Sequence, residues 1–145
     1  MNNTIKQIAG FFDSQNLKYK TSDENENVIW LHLALPSKQA APLVFISYNE
    51  ENQVVTIMAG HIVHVTNATH SLMLRMNAFN ADPEVFGCKM FIDFDGELTV
   101  SYRGFVHGEG VAPQIISLVD VVLTAVDRHY QKIVELFPDE PEEAE

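Results

Sequence analysis

The chain has 145 residues, of which 46% are hydrophobic and 20% charged, a composition typical of one globular domain rather than a disordered or fibrous chain. Twenty Asp and Glu against nine Lys and Arg give a net charge of −11, which disfavours nucleic acid and anionic membranes as partners. One cysteine, Cys88, excludes an internal disulfide framework and indicates a reducing, cytoplasmic setting. The first residues lack the features of a signal peptide, and no apolar run has the length of a membrane span.

The first half of the chain is predicted to form a helix followed by antiparallel strands. Apolar residues at helical spacing from Ile5 to Phe12 predict the helix, and residues 17–21 predict a short edge strand. Residues 28–35 alternate, which places four aliphatic residues on one face and Trp30 and His32 on the other. Residues 43–48 and 53–59 predict two further strands that pair through a short hairpin connection.

The second half is predicted to form a helix, a hairpin and a long helix. Leu72, Met76 and Phe79 share one helical face, so a second helix is expected to end around Asn80. Residues 88–94 and 97–105 predict two strands joined by a tight turn at Asp95-Gly96, with one side of the hairpin facing water. Residues 114–137 predict the last helix.

The last helix is apolar over much of its circumference. Its main apolar seam consists of Ile116, Val119, Leu123, Val126, Tyr130, Ile133 and Phe137. Further apolar residues widen this seam, so the helix is predicted to be buried on more than one side. Either it lies between the sheet and another helix of the same chain, or part of it forms an oligomer interface.

The predicted elements define a fold class. Hairpins rather than helical crossovers link most strands, so we expect an α+β fold with an antiparallel β-sheet and helices packed on one face. The element order is helix, strands, helix, β-hairpin, long C-terminal helix. We expect a single domain over residues 1–137 and an acidic disordered tail over residues 138–145, because five of the last seven residues are acidic.

One segment carries a family resemblance. The N-x-x-N pattern of Asn77 and Asn80, followed by a strand, the turn Asp95-Gly96 and a second strand, resembles the YbjN family of small bacterial proteins. This resemblance implies a fold like that of type III secretion chaperones, which are small, acidic, homodimeric proteins that bind extended segments of partner proteins. It also implies a regulatory role in bacterial stress or sensory responses.

The two asparagines have a structural interpretation and a functional one. Asparagine tolerates the left-handed conformation at a helix C-terminus, and its amide satisfies free backbone groups there. Asn77, one turn earlier, is expected to face the same side as Asn80 and to bond the turn into the next strand. The alternative is that Asn77 and Asn80 contact a ligand.

Other residues give little indication of catalysis or metal binding. His61, His64 and His70 could suggest a zinc site, but in a strand His61 and His64 would fall on opposite faces. No Cys, Asp or Glu stands at a ligand spacing beside them, so we expect no metal and no cofactor. Cys88, next to apolar residues, is expected to be a buried packing residue rather than a nucleophile. Without a nucleophile–base pair or paired carboxylates, an enzyme is not expected.

Two function hypotheses follow. Trp30 and His32 form an apolar platform on the second face of the sheet, and such patches on small acidic proteins indicate association, unless Trp30 packs beneath a loop or the first helix. The first hypothesis is a non-enzymatic, chaperone-like or regulatory module, acting as a homodimer that binds a partner protein segment. The alternative is a small-molecule-sensing regulatory domain with a pocket lined by Asn77, Asn80 and a histidine.

Overall fold

The computed structural model describes residues 2–22 and 24–137. The helices are α1 (Asn3–Ser14), α2 (His70–Ala81) and α3 (Val111–Val134), and a short 3-10 turn spans Pro83–Val85. The strands are β1 (Lys20–Thr21), β2 (Val28–His32), β3 (Leu43–Asn49), β4 (Val54–Gly60), β5 (Lys89–Ile92) and β6 (Leu98–Phe105). The tail predicted over residues 138–145 lies outside the described residues.

The strands form one antiparallel sheet in the order β1-β2-β3-β4-β6-β5. Neighbours in sequence pair as hairpins, except that β4 pairs with β6 and leaves β5 at the edge. After β4 the chain forms α2 and then the β5–β6 hairpin. The later strand of this hairpin, β6, pairs with β4 and thereby joins the hairpin to the sheet. The predicted α+β class, the element order and the helix-covered antiparallel sheet are confirmed.

The first helix begins where its sequence provides a cap. Asn2 accepts a hydrogen bond from the Ile5 N–H at 2.8 Å, and its amide nitrogen donates to the Tyr48 carbonyl oxygen at 2.9 Å. The side chain therefore satisfies a free helix N–H and also joins α1 to the end of β3. The apolar face predicted from Ile5 to Phe12 is buried, and α1 contacts β2, β3 and α3.

The core lies between the sheet and the helices. The long helix α3 packs against β4 and β6 and also contacts α1 and α2, so its broad apolar surface is accounted for inside the chain. Its buried residues are Ala112, Ile115, Val119, Val122, Leu123, Ala125, Val126, His129 and Ile133. Ile116, Tyr130 and Phe137 of the predicted seam are only half-buried. Within the described ranges, no helix combines the length and hydropathy that a membrane crossing requires.

Several predicted boundaries differ from the structure. The last helix was expected to reach Phe137 but ends at Val134, because Leu136 and Phe137 bond to residues three positions back and tighten the final turn. The strand predicted over residues 28–35 ends at His32. Leu35 still donates to the Ala40 carbonyl oxygen at 2.9 Å, so β2 and β3 diverge gradually rather than abruptly.

The β5–β6 connection is longer than a two-residue turn. Strand β5 ends at Ile92 rather than residue 94, and the Asp93 N–H bonds the Glu97 carbonyl oxygen at 2.9 Å across the loop. Gly96 has φ 79, the left-handed residue typical of longer hairpin loops. Thr99 lies on the side of the hairpin that was expected to face water but is buried, and its hydroxyl donates to the Glu97 carbonyl oxygen at 3.2 Å.

Candidate functional site

One face of the sheet, which we call the open face, is not covered by the helices. It carries Lys20, Val28, Trp30, His32, Leu43, Phe45, Ser47, Thr56, Met58, Lys89, Phe91, Ser101 and Arg103. Trp30, Phe45 and Met58 are half-buried by their neighbours in the sheet but do not pack against the core. The Trp30 and Phe45 rings stack with centroids 6.0 Å apart. The apolar platform predicted around Trp30 is therefore larger than two residues.

A groove of about 830 Å³ lies at the β1–β2 end of the open face. Trp30, His32, Lys20 and Tyr19 line it, together with Asp13. The Tyr19 hydroxyl donates to Asp13 Oδ2 at 3.0 Å. The pKa of Tyr19 is raised, chiefly by burial and to a smaller extent by this hydrogen bond. Nδ1 of His32 lies 3.0 Å from the Ala41 carbonyl oxygen. Trp30 and His32 thus lie on the same face of β2, as strand alternation predicted, and both line the larger groove.

A second groove, of about 340 Å³, lies at the β5–β6 end of the same face. Met58 and Phe91 give it an apolar wall, while Lys89 and Arg103 give it positive charge. Arg103 Nε donates to the Thr56 hydroxyl at 3.2 Å, which holds the guanidinium over the sheet. Both ends of the open face therefore combine apolar side chains with cations.

Asn80 is bound to the edge strand of the sheet. Its Nδ2 donates to the Met90 carbonyl oxygen at 3.2 Å, and the Met90 N–H donates to its Oδ1 at 2.7 Å. The side-chain amide therefore takes the place of a neighbouring strand at this edge. Two details of the prediction are wrong: Asn80 does not have positive φ, and the Asn77 side chain makes no hydrogen bond within the described ranges. The helix continues to Ala81, and Phe86, with φ 53, makes the left-handed reversal instead.

The asparagine pair provides a matched test of this edge contact. We expect Asn80→Ala to lower the free energy of unfolding by about 1 kcal/mol. The N–H and the carbonyl oxygen of Met90 would lose their hydrogen bonds to Asn80 and would bond water instead. Asn77→Ala, on the same helix, should stay within about 0.5 kcal/mol of wild type. Urea denaturation followed by circular dichroism measures both, and equal losses in the two variants would contradict the contact.

Asp82 joins the end of α2 to α3. Its Oδ2 accepts hydrogen bonds from Arg128 Nε at 2.8 Å and His129 Nε2 at 2.7 Å, and its Oδ1 accepts one from the Glu84 N–H at 2.9 Å. These contacts hold the pKa of Asp82 well below its usual range, and the hydrogen bond from Arg128 has the largest effect. The buried His129 ring packs edge-on against Phe79, with centroids 4.9 Å apart. The cluster fixes the chain between α2 and β5 and was not predicted from the sequence.

Acid should weaken the Asp82 cluster. Because the pKa of Asp82 is lower in the folded than in the unfolded chain, its contribution to stability is complete above about pH 5 and decreases as pH falls. We expect Asp82→Asn to be less stable than wild type at pH 6, with the difference narrowing towards pH 3. Urea midpoints across this range measure it. The control is Asp120→Asn on the exposed side of α3. A stability difference between wild type and Asp82→Asn that widened as the pH fell would contradict the lowered pKa of Asp82.

The remaining candidates form structural contacts. His64 Nδ1 lies 2.9 Å from Glu97 Oε1, a contact between residues 33 positions apart that local sequence spacing does not reveal. No group of three or more metal-ligating side chains comes together within the part of the chain that the structure describes. Cys88 is buried, as predicted, and its burial raises the pKa of its thiol, which disfavours the reactive thiolate.

A second apolar surface, which we call the α2 surface, lies away from the open-face grooves. It consists of Met73 and Leu74 on α2, Phe86 in the following loop and Phe94 in the β5–β6 turn, all largely exposed. Single exposed apolar residues are ordinary, but Met73 and Leu74 are adjacent on α2 and each is more than half exposed, which favours association at this helix. Sequence periodicity did not reveal this surface.

The fold is that of type III secretion chaperones. No protein-family model matches the chain, and no curated protein matches its sequence. A chain of the ExsC–ExsE complex is similar in structure with a TM-score of 0.58 and 16% identity, over 97% of this chain and 100% of that one. A chain of the heterodimeric ExoU–SpcU complex from the type III secretion system of Pseudomonas aeruginosa gives 0.55 and 11%, over 89% and 96%.

YbjN from E. coli, a candidate transcription regulator, has a similar fold as well. Its TM-score is 0.50 with 14% identity, over 86% of this chain and 92% of that one. The expected structural resemblance to YbjN and to secretion chaperones is thereby confirmed. At these identities the similarity concerns the fold.

Proposed function

We propose that the chain is a non-enzymatic protein-interaction module, chaperone-like or regulatory, that acts in the cytoplasm as a homodimer and binds a segment of a partner protein. The observation that carries this proposal is the open face, where Trp30, Phe45 and Met58 form an apolar strip that the chain's own helices leave uncovered. Similar folds in the ExsC–ExsE and ExoU–SpcU complexes support it. The buried, poorly ionised Cys88 is consistent with a protein that is not an enzyme.

Partner capture with matched variants tests the binding role. Wild type, Trp30→Ser and Phe11→Ser are used to capture proteins from an extract of the source cell, and bound segments are identified by mass. Phe11 is exposed on α1, on the helix side of the sheet. We expect one partner to be retained by wild type and Phe11→Ser and lost by Trp30→Ser. A set of captured proteins that does not change with Trp30→Ser would contradict partner binding at the open face.

The α2 surface is the proposed dimer contact. None of its four large side chains, Met73, Leu74, Phe86 and Phe94, belongs to the open-face strip, so the proposed dimer contact does not use the strip residues. Sedimentation at micromolar concentration should give about twice the 16.3 kDa chain mass. Leu74→Glu should give monomers, whereas Phe105→Glu, which changes the exposed last residue of β6, should not. A wild-type monomer mass at high concentration would refute the homodimer.

Small-molecule sensing is the second candidate function. The 830 Å³ groove beside Trp30 and His32 has a size common among ligand sites, but neither Asn77 nor Asn80 lines it. A ligand in this groove would change Trp30 fluorescence and raise the melting temperature without any partner protein. Contact of a ligand with Asn77 or Asn80 stays a prediction.

A further inference from the structure

The register of the sheet aligns one continuous row of side chains across the open face. Lys20 is opposite Trp30, Trp30 opposite Phe45, and Phe45 opposite Met58. Met58 is opposite Ser101, which is opposite Lys89. The row therefore crosses all six strands, with large apolar residues in the middle and a lysine at each end.

The strand residues on this face carry a charge opposite in sign to that of the whole chain, and the one carboxylate that lines the groove at the Lys20 end, Asp13 of α1, accepts a hydrogen bond from Tyr19. Of the nine Lys and Arg in the sequence, Lys20, Lys89 and Arg103 lie on the open face, whereas its strand positions include none of the twenty Asp and Glu. Arg103 lies next to the Lys89 end of the row, in the same groove. Without these three cations, the rest of the chain has six Lys and Arg against twenty Asp and Glu, a net charge of −14 that repels anions in general. Cations at the two ends of an apolar strip therefore favour carboxylates placed locally.

We propose that the open face binds a partner segment in which two or three large apolar side chains are flanked on both sides by Asp or Glu. This inference rests on the proposed function and specifies the chemistry of the partner. The apolar side chains cover Trp30, Phe45 and Met58, and the carboxylates reach Lys20 on one side and Lys89 with Arg103 on the other.

The spacing of the strands sets the length of the segment. Six strands are separated by five intervals of about 4.8 Å, so the Lys20 and Lys89 backbones lie on the order of 24 Å apart. An extended segment crosses this distance in about seven residues. Polyanions such as nucleic acid fit poorly, because they lack the apolar centre and meet the strongly acidic remainder of the chain.

Two synthetic peptides of about ten residues test the proposal. Both have the same apolar centre of Leu and Phe and no Trp; one is flanked by Glu and the other by Lys. Trp30 is the sole tryptophan of the chain, so its emission reports binding at this face. We expect the Glu-flanked peptide to bind about tenfold more tightly at low salt, as several weak surface ion pairs would give. The difference should shrink as salt screens the charges.

Two charge-matched variants separate local recognition from net charge. Lys20→Gln, Lys89→Gln and Arg103→Gln together should abolish the preference for the Glu-flanked peptide. Lys6→Gln, Lys38→Gln and Lys132→Gln together, all off the open face, should retain it within about twofold. Equal affinity for the two peptides, or equal losses in the two triple variants, would overturn the proposal.

The remaining outcomes identify other occupants. If Trp30 emission changes with protein concentration as the dimer forms, a second copy covers the face, and if deletion of residues 138–145 unmasks Trp30, the acidic end of the chain covers it. Either result would overturn the proposed partner chemistry. If neither peptide binds but a partner is captured in a Trp30-dependent way, this inference fails and the proposed function stands. If nothing is captured either, both fail.

Discussion

Replacing Phe79 with alanine is expected to lower the free energy of unfolding by about 4 kcal/mol, because a fully buried phenyl ring is lost and a cavity remains. Phe79 lies on α2 and packs against the His129 ring. The loss therefore affects both the packing of α2 on α3 and the surroundings of the Asp82 cluster. Urea denaturation followed by circular dichroism measures the change in midpoint at constant slope.

Phe11→Ala is the control for Phe79→Ala. Phe11 is also a helical phenylalanine, but it is 39% exposed, and its ring centroid lies 5.9 Å from that of Phe12. We expect a loss of less than about 1 kcal/mol from this variant. Similar losses in the two variants would show that the junction between α2 and α3 contributes less to stability than its burial implies.

Two truncations at the end of α3 should differ strongly. A chain ending at Lys132 loses Ile133, which is fully buried, and also Leu136 and Phe137, which pack against the core. We expect it to lose about 3 kcal/mol or more, because large apolar contacts disappear together. A chain ending at Phe137 keeps all three residues. Its melting temperature should match that of the full chain.

Thermal melting of both truncated chains checks the domain boundary predicted at residue 137. Comparison of the chain ending at Phe137 with the full chain measures the effect of removing the acidic residues 138–145. Comparison of the chain ending at Lys132 with the chain ending at Phe137 then measures the loss of residues 133–137 alone. If the chain ending at Phe137 melted well below the full chain, residues 138–145 would contribute contacts and the predicted boundary would be wrong.

Local sequence patterns were sufficient to predict most elements of the fold. The buried face of α1 follows directly from the spacing of Ile5 to Phe12, and the two faces of β2 follow from alternation around Trp30. Such periodicities are strong because each element has one face on the core. Element ends were less accurate, as at Val134 of α3, because the final turn depends on bonds that periodicity does not encode.

The Asp82 cluster could not be predicted because its members are distant in sequence. Asp82 and His129 are 47 positions apart, and only the packing of α2 on α3 brings them together. One signal was present: His129 follows Val122 by seven residues and Val126 by three, which places a polar ring on the buried side of α3. A buried histidine needs a polar partner, but helix periodicity does not identify that partner.

The open face was predicted only in part for a similar reason. Alternation placed Trp30 and His32 on the second face, but their neighbours depend on strand order and register. Strand β4 pairs with β6 rather than β5, and this pairing aligns Met58 with Ser101 and then Lys89. The positive ends of the row therefore follow from the assembled sheet, since no single segment of sequence contains both.

The burial of Cys88 makes this side chain a reporter of local motion. Its thiol is enclosed next to the start of β5, and its raised pKa leaves little thiolate at neutral pH. An alkylating reagent can react only when the segment between α2 and β5 opens, so the alkylation rate measures how often that segment separates from the rest of the protein. With no second cysteine in the chain, the signal comes from one position. Partner or dimer contacts that hold this segment closed would be detected as slower labelling.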